Sequence, residues 1–315
     1  MNKIKNYLSL VKFSHTIFAM PFALIGFFLA LFKNEAPQSF VVPGWHTTIY
    51  PKGTPRFTLP AYINGTRLVI LFILVILCMI FARSAAMAFN RWLDADFDKK
   101  NSRTAVREIP SGIIKAGNAA WFVLFNCIAF IVCCWFINRL CFYLSFVALF
   151  VVLFYSYTKR FTALCHLVLG VGLSLAPIGA YIAVTGTFAL LPILFSFTVL
   201  FWVSGFDIIY ALQDEAFDKQ HQLHSIPAAV GKTKALRISE LLHVFSAACV
   251  IYAGFYGHFG IWYWIGVAIF TGLLIYQHLV VKPNDLSKVN MAFFTTNGIA
   301  SVVFAVFVLL DIFLK

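Results

Sequence analysis

Two short acidic stretches stand out in this chain. One holds Asp94, Asp96, Asp98 and Glu108, the other Asp207, Asp214, Glu215 and Asp218, and together they account for most of the 12 Asp and Glu. On a continuing helix Asn90, Asp94 and Asp98 repeat every four residues, which places them on one face with about 6 Å of rise per step. Asp214 and Asp218 repeat that spacing, and Asp207 and Tyr210 carry the second polar stripe further back along its helix. Carboxylates this close repel one another unless a cation compensates them. Two facing stripes of hard oxygen ligands suit Mg2+, which takes one or two carboxylates plus the oxygens of a substrate phosphate. The plainer alternative is a pair of solvated helix ends. Two such stripes at one membrane depth, with basic residues beside both, favour a metal-bridged diphosphate.

Arg91 lies just before the first stretch and Arg103 and Arg107 lie within it, between Asp98 and Glu108, and Lys159 with Arg160 lies on the same side. Arginine forks and lysine charges are what a diphosphate needs beyond its metal. Each of these cations also obeys the general excess of Lys and Arg in cytoplasmic loops. Arg83 lies two turns before Asn90 on the same face, in the middle of an apolar run. A buried arginine needs a partner, so it either clamps the carboxylate of a second substrate or pairs with Asp207. His166, alone on an apolar helix, is expected to be a hydrogen-bonded core residue. The 36 phenylalanines single out no position for contact with a carbocation.

The elements that position these groups must sit in lipid. The chain of 315 residues is 61% hydrophobic and 11% charged, against about 25% charged in ordinary soluble domains. Apolar runs near 13–32, 67–89, 119–137, 140–158, 163–185, 189–212, 238–256, 260–281 and 291–314 predict nine transmembrane helices. They lack the alternation of barrel strands, so the expected fold is an all-α polytopic bundle. Most of the 24 Lys and Arg fall at the N-terminus and in the loops after the second, fourth, sixth and eighth spans, which makes those segments, and both acidic stretches, cytoplasmic. The net charge of +12 is thus read by the membrane and not by nucleic acid. The start reads as a retained first helix, residues 33–66 as a proline-rich outer loop, and the whole of 1–315 as one membrane domain. Cys78, Cys127, Cys133, Cys134, Cys141, Cys165 and Cys249 lie inside apolar runs without metal-ligand spacing and are expected to be packing residues. Asn64-Gly65-Thr66 fits a glycosylation acceptor but is taken as chance.

Asn90-Arg91-Trp92-Leu93-Asp94-Ala95-Asp96-Phe97-Asp98 resembles the NxxxDxxxD motif of the UbiA family of membrane prenyltransferases. Its continuation Asn101-Ser102-Arg103-Thr104-Ala105-Val106-Arg107-Glu108-Ile109-Pro110-Ser111-Gly112 is similar to the family's RTxxRxxPSG run. Asp207, Tyr210, Ala211, Asp214 and Asp218 match its DxxYAxxDxxxD motif, and Tyr155 to Arg160 resembles its tyrosine-rich approach to a Lys-Arg pair. The resemblance implies that Asn90, Asp94, Asp98, Asp214 and Asp218 hold Mg2+ and a polyprenyl diphosphate, the four aspartates being catalytic. Arg103, Arg107, Lys159 and Arg160 would then cradle phosphate, and Arg83, Tyr155, Asp207 and Tyr210 would meet an aromatic acid acceptor. It implies prenylation of 4-hydroxybenzoate for a respiratory quinone, in a bacterial inner membrane. His224-Ser225-Ile226-Pro227, where many members carry Lys-Ser, points instead toward dihydroxynaphthoate prenylation for menaquinone. The rival from another class, an ion-coupled transporter, would place its charges near the bilayer midplane, whereas most of the acids here sit at one interface and only Arg83 and Asp207 lie deeper.

Overall fold

A computed structural model describes residues 3–11, 18–32 and 65–314. Most of the expected outer loop, residues 33–64, and the start of the first expected span lie outside the described residues. Nearly every described element is a helix: α1 (Lys3–Leu10), α2 (Met20–Phe32), α3 (Gly65–Leu93), α4 (Ala95–Lys100), α5 (Ala116–Ile137), α6 (Arg139–Thr158), α7 (Cys165–Thr185), α8 (Leu190–Ala211), α9 (Glu215–Gln220), α10 (Ile226–Val230), α11 (Lys232–Tyr256), α12 (Ile261–Val280) and α13 (Asn297–Leu314). Eight stretches are long and apolar enough to cross a membrane, and they coincide with eight of the nine expected spans. The remaining one is described only as α2, whose 13 residues rise about 20 Å, short of a roughly 30 Å hydrocarbon core.

The chain forms a multi-pass membrane bundle because its helices bury small and aromatic residues against each other and turn large apolar ones outward. Trp121, Phe125, Trp135, Phe150 and Ile261 are all more than half exposed, as expected where lipid is the solvent. Inside, Trp202, Phe22, Phe270 and Phe304 pack ring against ring. Trp202 Nε1 and Gln277 Nε2 both donate to Asn297 Oδ1, at 2.8 and 2.9 Å, a polar tie across α8, α12 and α13. α7 sits centrally, against α2, α6 and α8. Its approach is too close for side chains at two points: a Cβ on Gly26 would lie 2.0 Å from the Pro177 carbonyl oxygen, and one on Gly170 2.3 Å from Ser204 Oγ. Small residues at such crossings are how membrane helices gain packing energy without a hydrophobic driving force. All seven cysteines are free thiols.

Helix length positions the site. α3 has 29 residues and rises about 43 Å, so one end outreaches the hydrocarbon. The stretch Leu190–Gln220 does the same with 31 residues. Both overhanging ends are the acidic ones, and they stand side by side.

Candidate active site

The first acidic stripe survives a break in its helix. α3 ends at Leu93 and α4 starts at Ala95, with Asp94 at the junction. Yet Asp94 N still donates to Asn90 O at 2.9 Å and Asp98 N to Asp94 O at 2.8 Å, so the i+4 register holds. Asn90 Nδ2 donates to Asp94 Oδ2 at 3.2 Å. Beyond α4 the chain turns back on itself. Thr104 Oγ1 donates to Asp98 O at 3.1 Å, and Asn101 Oδ1 accepts from Arg103 N at 3.0 Å. This fold-back aims two arginines at the acids. Arg107 Nη1 reaches both oxygens of Asp98, at 2.8 and 2.9 Å. Arg103 crosses to the second stripe, with Nε 3.2 Å from Asp214 Oδ1, Nη2 on Asp214 Oδ2, and Nη1 2.9 Å from the Tyr210 hydroxyl. Arg91 takes no part. It is buried against Glu108, which Ser9 also holds, so its role is to brace the fold-back.

The second stripe also changes helix type. α8 passes through a 3-10 turn at Leu212–Asp214 into α9. Asp207, Tyr210 and Asp214 line the same cavity as Asn90, Asp94 and Asp98, a space of about 210 Å³. Asp218 does not reach that wall. It is fully buried, with Lys159 Nζ 2.7 Å from Oδ1 and Ser225 Oγ donating to Oδ2 at 2.8 Å. Arg160 Nη2 lies 3.2 Å from Asp94 Oδ1, its guanidinium against the Phe97 and Tyr157 rings. Each of the four aspartates expected to be catalytic is thus paired with one of the four expected phosphate ligands. Burial pushes the Asp94 carboxyl above its usual range, and Arg160 pulls back only in part. Burial works against charge on Arg103 and Lys159 too, but Asp214 with Tyr210, and Asp218, outweigh it, so both cations are held more firmly than normal.

The donors fit Mg2+. Asp94, Asp98 and Asp214 present hard oxygens on one cavity wall, and Mg2+ asks for one or two carboxylates before phosphate and water complete its shell. Among the described residues no three Asp, Glu, His or Cys side chains converge as a metal site by themselves.

A second cavity, about 310 Å³ and almost wholly apolar, adjoins the first: Tyr155 and Leu169 line both. It follows α6 from Tyr155 through Val152, Ala148 and Leu144 to Cys141, a length of about 21 Å. Arg83 is in its wall near Tyr155, its Nε buried without a hydrogen-bond partner. Of the two expected uses of Arg83, pairing with Asp207 is not made, because Asp207 is held by His166: Nδ1 to Oδ2 is 2.7 Å. His166 is indeed buried and hydrogen-bonded, as expected of a core residue, but it lines the polar cavity. Its place in the site was hidden because its partner lies 41 residues away on another helix. The His224-Ser225-Ile226 segment braces the site from behind. Ser225 holds Asp218, Ile226 N donates to His166 Nε2 at 3.3 Å, and His224 N donates to Lys159 O at 2.7 Å.

Residues 61–299 match the model of the UbiA prenyltransferase family. A 4-hydroxybenzoate octaprenyltransferase of Nitrosomonas europaea is 32% identical over 74% of this chain and 80% of its own length. The enzyme of the same description from Francisella tularensis subsp. mediasiatica is 28% identical over 72% of this chain and 80% of its own length. Among solved structures, an apo UbiA homolog from Aeropyrum pernix superposes with a TM-score of 0.76 at 26% identity, covering 94% of this chain and 98% of that one. A homolog from Archaeoglobus fulgidus bound to DMAPP and Mg2+ has a TM-score of 0.65 at 18% identity, covering 98% and 99%, and shares the fold.

Proposed function

Given that this chain belongs to the UbiA prenyltransferase family, we propose that it transfers a polyprenyl group from a Mg2+-bound polyprenyl diphosphate to a ring carbon of 4-hydroxybenzoate or a closely similar aromatic acid. The observation that carries this reading is the junction of the two cavities. A polar chamber lined by carboxylates and cations opens beside an apolar channel, and Arg83 and Asp207 flank the meeting point. A diphosphate fits the first, its polyprenyl tail the second, and an aromatic carboxylate the arginine between them.

Asp94, Asp98 and Asp214, with the Asn90 amide, are the groups that would hold Mg2+, whose charge makes the diphosphate a leaving group. Asp218 anchors Lys159 from below. Arg103, Arg107 and Arg160 exchange their carboxylates for diphosphate oxygens, and Lys159, still held by Asp218, turns its remaining N–H donors to them, so the charges that balance the site at rest also bind the donor. Tyr155 separates the chambers and keeps water in the polar one away from the allylic cation. Tyr210, tied to Arg103, carries the arginine's position to the acceptor side. Arg83 orients the acceptor through its carboxylate, leaving the electron-rich ring against C1 of the donor. A lipid-soluble donor also accounts for a site built at the membrane edge.

The site faces the cytoplasm and the N-terminus lies on that side, as the ninth, incompletely described span requires. The support is that Lys99, Lys100, Arg103, Arg107, Lys115, Lys159, Arg160 and Lys219 gather in the short helices and loops beside the site, where cytoplasmic segments carry their excess of Lys and Arg. A bacterial inner membrane suits a respiratory quinone product. The dihydroxynaphthoate alternative rests on the His224-Ser225-Ile226 segment, which contacts His166 on the acceptor side. Family membership removes the transporter reading. The test is competition between the two acids for labelled polyprenyl diphosphate: consumption of the naphthoate alone would transfer the assignment to menaquinone synthesis.

A further inference from the structure

Electrophilic substitution on an aromatic ring ends when the carbon that has formed the new bond loses its proton, and a positioned base speeds that loss. Among the carboxylates on the polar wall, Asp94, Asp98 and Asp214 are each matched with a lysine or arginine. Asp207 is not. Its Oδ2 accepts from His166 Nδ1 at 2.7 Å, and its side chain remains 22% exposed toward the cavity, where that of His166 is 4% exposed. Seven residues before Asp214, it lies about 10 Å deeper along the helix, away from the diphosphate groups.

The imidazole is held at both ends. Ile226 N–H points at Nε2, 3.3 Å away, so that nitrogen keeps its lone pair and the single ring proton sits on Nδ1, facing Asp207. A second proton on the ring would set one N–H against another. His166 therefore holds one carboxylate oxygen, Oδ2, in place, and Oδ1 is left for the substrate.

Resting on the function proposed above, we propose that Asp207 is the base of the transfer and that His166 is the positioning residue that aims it. The bond between C1 of the prenyl chain and the diphosphate oxygen breaks, and its electron pair leaves with the diphosphate. The acceptor ring supplies the pair for the new carbon–carbon bond. The C–H pair at that ring carbon then returns to the ring, and the proton passes to Asp207 Oδ1.

The test uses single turnovers of purified protein with Mg2+, polyprenyl diphosphate and 4-hydroxybenzoate carrying hydrogen or deuterium at the positions ortho to the hydroxyl. In the unmutated protein proton loss follows bond formation quickly, and the isotope makes little difference. His166→Leu removes the brace and slows transfer about 10- to 100-fold, a primary isotope effect appears, and the KM for the prenyl diphosphate is unchanged. His166→Gln, whose amide both donates to Asp207 and accepts from Ile226, restores rate and isotope insensitivity. Asp207→Asn loses about 10²- to 10⁴-fold with the same isotope signature. Slowing without an isotope effect, or a rise in acceptor KM alone, would make Asp207 an anchor and overturn the proposal while the transfer activity stands. An unmutated protein that transfers nothing to the acid would remove the function itself.

Discussion

Arg103 is asked to serve two ligands in opposite senses, and Arg103→Gln separates them. At rest its guanidinium spends two donors on Asp214 and one on Tyr210. In the donor complex those donors turn to diphosphate oxygens. Charge-assisted hydrogen bonds of this kind contribute about 1.5 to 3 kcal/mol, so the KM for polyprenyl diphosphate should rise roughly 10- to 150-fold. Binding of Mg2+ alone should move the other way. The Arg103–Asp214 pair is a third exposed on the arginine side, so solvent screening limits its worth to about 1 kcal/mol. Freeing Asp214 from it should tighten Mg2+ by up to about fivefold. Calorimetric titration with Mg2+ and steady-state kinetics with labelled donor read the two effects on one preparation. If both ligands weaken together, Arg103 merely holds the fold-back in place, and the exchange of partners is wrong.

Asp94→Asn removes a hard ligand at almost constant volume and should abolish Mg2+-dependent transfer while the protein stays in the membrane; near-normal turnover at low Mg2+ would exclude Asp94 from the metal site. Arg83→Met should raise the acceptor KM about 10- to 100-fold and leave that of the donor alone, whereas equal damage to both would mark Arg83 as structural. Single cysteines introduced in a cysteine-free background test orientation: Val106→Cys, on the loop beside the site, should react only with reagent admitted to the cytoplasmic side, and His258→Cys, exposed in the turn between α11 and α12, only with reagent outside. Labelling of position 106 in intact cells would invert the topology.

What could be read from the sequence, and what could not, follows from the range of the interactions involved. Eight spans were legible because lipid imposes a long apolar run on every crossing helix. Asn90, Asp94 and Asp98 could be placed on one face because helical register is local, and it holds through the break at Asp94. The pairings between helices were not legible. Arg91 sits inside the first stripe and Arg107 well past its end, yet the nearer one is locked to Glu108 and the farther one meets Asp98. Asp218 keeps the i+4 spacing but turns inward to Lys159, off the cavity wall. His166 looked like a core histidine because its two partners, Asp207 and Ile226, arrive from α8 and α10. The sequence signal linking them is weak: a histidine and an aspartate, each just inside the same edge of its own apolar run.

Transfer to the acid is tested most directly by a mass-spectrometric assay of purified protein given Mg2+, polyprenyl diphosphate and 4-hydroxybenzoate. The expected product is a single new compound in which one ring hydrogen has been replaced by the polyprenyl chain and the carboxylate is intact, formed with release of one diphosphate per turnover. Release of diphosphate with only polyprenol as product would contradict it, because a site built for transfer to the acid, with Arg83 holding the carboxylate, would then be one that merely lets water in.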